Sequence, residues 1–168
     1  MIALQGHRTC AVLGLLALAG CAELGRTASD SSQQSKKVSI RFCLAATEAR
    51  DGYQPVKDEQ GQTLFVKPDA VLTEADVKRA SLMESQRRTI ILLEFKPLAA
   101  DRLDRETAEH LGDRLAIFLD DRLVMSPVIR SRIEQGKAAV DGDFSKERAD
   151  EIVRALNSGV AATEKPAP

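Results

Sequence analysis

Tryptophan is absent from this 168-residue chain, tyrosine occurs once, and aromatic residues make up 4% of it. A folded core must therefore be aliphatic, drawn mainly from Leu, Ile, Val and Ala. Histidine is scarce too, with only His7 and His110. That leaves no Ser/His/Asp or Cys/His set of the kind nucleophilic catalysis uses. Charge of one sign is not in excess: 24 Lys and Arg stand against 25 Asp and Glu. A near-neutral balance lacks the basic footprint of a nucleic-acid partner. There is no Gly-rich phosphate loop. No apolar run reaches the roughly 20 residues that a membrane-spanning helix needs. At this length one domain is the natural prior.

What is present begins with an apolar run, Ala11 to Gly20, that follows His7 and Arg8 and ends in Leu18-Ala19-Gly20-Cys21. A basic start, a short apolar stretch and small residues before a cut make a secretory signal. Ending on Cys, it resembles the bacterial lipoprotein signal, in which the thiol is joined to a diacylglyceryl group and becomes the first mature residue. The resemblance implies a signal peptide over residues 1–20, lipidation of Cys21 and a protein held at a membrane. Each buried methylene of an acyl chain contributes about 0.8 kcal/mol, so several chains hold far more firmly than one. Ala22 rather than Asp follows Cys21. By the sorting pattern of that lipoprotein family, this favours the periplasmic face of the outer membrane over the inner membrane.

Cys10 leaves with the signal and Cys21 carries lipid, so Cys43 remains alone and no intramolecular disulfide is expected. With Phe42 and Leu44 beside it in an alternating pattern, Cys43 reads as a small buried hydrophobe. Residues 21–37 read as a flexible linker after the lipidated cysteine, rich in Ser, Gln and charge, with a reach of roughly 20 Å. Residues 38–160 read as the folded domain and 161–168 as a disordered tail.

Within the domain, Val38, Ile40, Phe42 and Leu44 alternate with polar or small residues, predicting a strand with one face in the core. Asp58 to Gln62 reads as a turn, followed by a short strand at Leu64-Phe65-Val66. Thr73 with Asp76 three residues on is a weak capping box, predicting a short helix through Val77, Ala80 and Ser81. Thr89 to Phe95 is the most apolar strand. Pro97 opens a helix carrying Ala100, Leu103, Thr107 and Leu111 on one face, and Gly112 stops it. Leu115–Leu119 and Arg122–Met125 flank Asp120-Asp121 as a hairpin, with Pro127 confined to an edge or bulge. A last strand lies around Val140. Ser145 caps a final helix whose Ala149, Ile152, Val153 and Leu156 recur at helical spacing. The predicted class is α+β, a mainly antiparallel sheet with helices packed on one face.

The stretch from Ile90 to Gly159 resembles the head subdomain of the first periplasmic domain of SecD, an accessory subunit of the bacterial protein-export channel. The residues that carry the resemblance are LAIFLDD (family LAIVLDG), Ser126-Pro127-Val128-Ile129, Ile133 and Gly136. Val140-Asp141-Gly142-Asp143-Phe144-Ser145 then matches I-x-G-x-F-[ST], and Glu147, Ala149, Leu156, Ser158 and Gly159 complete the run. Two departures stand out. Asp121 replaces a turn glycine, which predicts a wider or slightly strained hairpin tip. Gly159-Val160-Ala161-Ala162 lacks the family's Gly-Ala-Leu-Pro exit, and no membrane-spanning segment follows, so the chain reads as a head and an anchor without a motor.

The resemblance implies a non-catalytic protein that binds unfolded or extended exported polypeptide near the membrane, in connection with the Sec export machinery. The alternative is an adaptor lipoprotein docking on a fixed envelope protein, unrelated to export. Met125, Ser126, Pro127 and Val128 form the candidate polypeptide-binding edge. No cofactor, catalytic residue or metal is expected. Asp141-Gly142-Asp143 has the wrong spacing for a calcium loop, and Asp120-Asp121 reads as turn chemistry.

Overall fold

The computed structural model describes residues 38–85 and 88–163. The signal, Cys21 and the linker lie outside the described residues. Among those described, the order is β1 (Ile40–Ala46), β2 (Gln54–Lys57), β3 (Thr63–Thr73), β4 (Val77–Ser85), β5 (Arg88–Phe95), α1 (Pro97–Glu109), β6 (Arg114–Leu119), β7 (Arg122–Met125), β8 (Lys137–Asp141) and α2 (Lys146–Thr163). Each strand pairing is antiparallel. The α+β class holds, but the strands form two sheets rather than one: β2-β3-β1-β6-β7 and β4-β5-β8.

The helices form where an apolar stripe meets a capped start. Pro97 occupies the first turn of α1, where a missing N–H costs nothing. The buried line of α1 is Ala99, Leu103 and Thr107. It lies one residue off the expected Ala100 phase, and Leu111 falls beyond the helix with 59% exposure. The Thr107 hydroxyl donates to Leu103 O at 2.7 Å and accepts the Ile133 N–H at 2.9 Å, fastening the β7–β8 loop to the helix. In α2, Ala149, Ile152 and Leu156 are buried and the helix packs on β4 and β5. Its first turn is capped by Ser145, whose Oγ accepts the Arg148 N–H at 3.2 Å. The main core is aliphatic apart from Phe42 and Phe95, which meet edge to face at 5.4 Å.

Two expectations are corrected and a third is narrowed. Thr73 and Asp76 do form a capping box, but it encloses only a 3-10 turn, Glu74–Asp76. The chain then runs straight into β4, because β5 offers it a ladder and its side chains alternate. Ala80 and Leu82 point to the core, and Ser81 and Met83 point away. β1 is buried on both faces. Phe42 and Leu44 enter the main core, while Cys43 and Ala45 join Leu64, Val66, Ala116 and Phe118 in a second cluster on the opposite face. The hairpin tip is not widened; of the two forms expected, it takes the slightly strained one. Asp120 and Asp121 form a two-residue turn with φ of 48° and 64°, a region that carboxylate side chains tolerate better than most. Both aspartates are held. Asp120 Oδ1 accepts the Ser39 N–H at 3.1 Å, and Arg41 and Arg148 pair with Asp121 and Asp120.

Gly136 adopts φ +58°, and a Cβ there would collide with the Cβ of Ala100 on α1. Its carbonyl accepts the Phe95 N–H at 2.9 Å. The glycine thus lets α1 lie directly on the entry to β8.

Candidate functional site

Met125, Ser126, Pro127 and Val128 end β7 and leave it, on an outer strand of the five-stranded sheet. Met125 pairs with Ile117 and packs, half-buried, against the main core. Ser126 is half-buried, Pro127 is exposed and Val128 is 40% exposed. The chain continues alongside β6 beyond β7. Pro127 O accepts the Leu115 N–H at 2.9 Å, and the Ile129 N–H donates to Asp113 O at 2.8 Å. Val128 bridges Arg114 between these two bonds.

Antiparallel alternation therefore turns the backbone of residues 127 and 129 inward. It turns the Ser126 N–H, and both polar groups of Val128, outward. The Ser126 carbonyl is taken by the Arg114 guanidinium at 2.6 Å. Pro127 interrupts the ladder on its inner side, against β6. The outward row of Ser126 and Val128 donors is left intact.

A cleft of about 340 Å³ adjoins Val128, lined also by Ala46, Arg50, Gly112, Asp113 and Arg114. Arg50 grips Asp113 with two bonds of 2.6 and 2.7 Å. His110 Nδ1 lies 3.2 Å from the same carboxylate. The Arg50 hydrogen bond holds the Asp113 carboxyl below the usual carboxylate range; partial burial opposes this, and the His110 bond adds to it. His110 is the C-terminal cap of α1 and lies half-buried against Asp113. The trio braces the β1–β2 loop against the α1–β6 turn. Sequence reasoning missed it because Arg50 and Asp113 lie 63 residues apart.

Cys43 is 1% exposed, and burial pushes its thiol up, with Arg41 partly offsetting. A thiol kept protonated is a poor nucleophile. Asp141 pairs with Arg88 at 2.9 Å, and the ring of Phe144 lies where a Gly142 side chain would be. Among the described residues, no group of three or more His, Cys, Asp or Glu is placed to hold a metal ion. No described helix is long and apolar enough to cross a membrane.

The family model of the SecDF P1 head subdomain matches residues 46–162. The protein translocase subunit SecDF of Thermus thermophilus is 38% identical over 100 residues, covering 56% of this chain and 14% of that protein. The subunit SecD of Calditerrivibrio nitroreducens is 35% identical over 99 residues, covering 56% of this chain and 19% of that protein. The chain thus spans less than a quarter of the length of these two relatives. A solved structure of a membrane component SecDF that enhances protein export superposes with a TM-score of 0.59 at 25% identity, over 74% of this chain and 64% of that one. The crystal structure of SecDF in a super-membrane-facing form gives 0.59 at 26% identity, over 74% of this chain and 19% of that one.

Proposed function

The chain belongs to the SecDF P1 head subdomain family, and on that premise we propose that it holds extended or unfolded polypeptide during protein export, at the Met125–Val128 edge. The observation that supports this is the outward row of backbone groups at Ser126 and Val128 on an exposed strand end. An extended chain that adds a strand there gains main-chain hydrogen bonds, each worth about 0.5–1.5 kcal/mol net. The row is short and carries an exposed proline, which discourages pairing between folded copies. The client is an exported polypeptide that has not yet folded, and the partner assembly is the Sec export machinery.

In this reading the protein is non-catalytic and acts through what its surface binds. Cys21 carries the lipid, and the linker lets the domain stand off the periplasmic face of the outer membrane.

Fluorescence anisotropy with a labelled exported protein, unfolded and then folded, tests the reading. Selective binding of the unfolded form, weakened about fivefold by Val128→Pro, is the expected result. That substitution removes one outward donor, and about 1 kcal/mol corresponds to that factor. Equal binding of both forms overturns it. Mass spectrometry of the N-terminal peptide from isolated membranes tests the anchor: a diacylglyceryl adduct on Cys21 is expected, and an unmodified residue there overturns it.

A further inference from the structure

β4 is an outer strand of the small sheet, and two independent observations say which of its backbone groups face away from the sheet. The Phe95 N–H donates to Gly136 O at 2.9 Å, so the odd-numbered residues of β5 bond toward β8 and the even-numbered ones toward β4. The register Ser81↔Leu92 and Met83↔Ile90 then turns Ser81 and Met83 toward β5. The N–H and C=O of Ala80, Leu82 and Glu84 point outward. Separately, the Ala80 N–H donates to Asn157 Oδ1 at 2.8 Å, and Asn157 Nδ2 donates to Ala80 O at 3.0 Å. The carboxamide of Asn157, reaching over from α2, makes both bonds that the peptide group of a neighbouring strand would make.

Past Ala80 the edge carries no backbone partner among the described residues. Lys146 at the start of α2 pairs with the Glu84 side chain at 2.6 Å, leaving the Glu84 backbone unclaimed. Among the described residues, no side chain or loop bonds to the outward backbone groups of Leu82 or Glu84. Beside the edge, the solvent face of the small sheet is apolar: Met83 is 42% exposed, and Ile90 and Leu92 are incompletely buried. A groove of about 520 Å³ crosses this face over Ser81, Leu92 and Ala139, between Arg79, Glu94 and Lys137. A strand laid along β4 sends alternate side chains onto that face, where they extend the Met83–Ile90 row.

We infer that β4 is a second strand-addition site, taking an extended polypeptide segment with apolar residues at alternate positions, and that Asn157 is the plug closing its Ala80 end. The occupant's chemistry follows from the plug itself, since what Asn157 imitates is a peptide bond. An incoming strand that displaces the carboxamide replaces its two hydrogen bonds and adds those of Leu82 and Glu84. The inference rests on the polypeptide-holding reading and assigns it a second place on the molecule.

The test uses a short fluorescent peptide with valine at alternate positions, and the unfolded exported protein, against the full chain. Asn157→Ala unplugs the edge and is expected to tighten peptide binding about fivefold. Glu84→Pro deletes an outward N–H without touching the β4–β5 ladder and is expected to weaken it about fivefold, more than Glu84→Ala, which keeps that N–H. A photo-crosslinker at the exposed Met83 position should capture the peptide, a readout that survives if Asn157→Ala fails to fold. If the wild type binds unfolded polypeptide but neither variant nor crosslinker responds, the β4 site is overturned and the Met125–Val128 reading stands. If the wild type and Asn157→Ala bind neither probe, both fall. If Asn157→Ala only makes the protein dimerise in sedimentation, the occupant is a second copy and the inference is overturned.

Discussion

Replacing Gly136 with alanine should be among the most damaging single-methyl additions in this fold, and its cost divides into two parts. The first is backbone: at φ +58° an L-residue pays about 1–2 kcal/mol. The second is packing: the new Cβ meets Ala100 Cβ, and forcing a methyl into a filled contact costs typically about 1–3 kcal/mol. Together they reach about 2–5 kcal/mol, against a total stability of roughly 5–15 kcal/mol for an ordinary domain. Urea denaturation followed by far-ultraviolet circular dichroism reads this directly. With a slope of about 2 kcal/mol/M, the middle of the range usual in urea, the midpoint should fall by about 1–2.5 M. Ala100→Gly separates the two parts. It costs about 1 kcal/mol alone, as glycine does in a helix, but it removes the obstructing methyl. In that background Gly136→Ala should cost only the backbone share, about 1–2 kcal/mol. Equal costs in both backgrounds would refute the collision, and a cost below about 0.5 kcal/mol would refute both parts.

Three further outcomes follow from the same contacts. Asp113→Asn should lower stability at neutral pH: the folded carboxyl lies below its ordinary value, so its contribution is present above the unfolded value and lost as acid titrates the folded group. The gap between variant and wild type in thermal melts should therefore close as the pH drops below about 4; a gap constant down to acid pH would contradict the Arg50 brace. Thr107→Val strands the Ile133 N–H and should cost about 1–3 kcal/mol in urea melts, with Thr107→Ser recovering most of it; a neutral Thr107→Val would mean that the loop anchors elsewhere. Cys43 should resist thiol reagents in the native protein at neutral pH and react only on unfolding, and native-state labelling at the unfolded rate would contradict its burial.

Some of this architecture could be read in the residues alone. β5 and α2 announce themselves, the first by an unbroken apolar run and the second by Ala149, Ile152 and Leu156 at helical spacing. Asp120-Asp121 marks its turn even without glycine. Other features were hidden because they are decided at long range. Thr73 and Asp76 satisfy each other within a single turn, and nothing local says whether a helix or a strand comes next. β5, contributing from beyond the turn, decides it for β4. β2 offers only Val56 as an apolar signal and exists because β3 pairs with it. The division into two sheets, and the second apolar cluster behind β1, depend on which strands neighbour one another. At the candidate site, Pro127 marked the outer strand correctly. Which backbone groups look outward required the register, and the bond from Asn157 to Ala80 joins residues 77 apart with no local signature.

β1 lies in the middle of its sheet, between β3 and β6, and it is where the described chain enters the fold. Force applied from the N-terminal side is therefore shared between two ladders whose bonds run across the direction of pull, and these must rupture together. α2, at the other end, belongs to neither ladder and is held instead by the burial of Ala149, Ile152 and Leu156 and by the two bonds of Asn157 to Ala80. A pull from that end meets packed side chains and a single carboxamide rather than a shared row of backbone bonds.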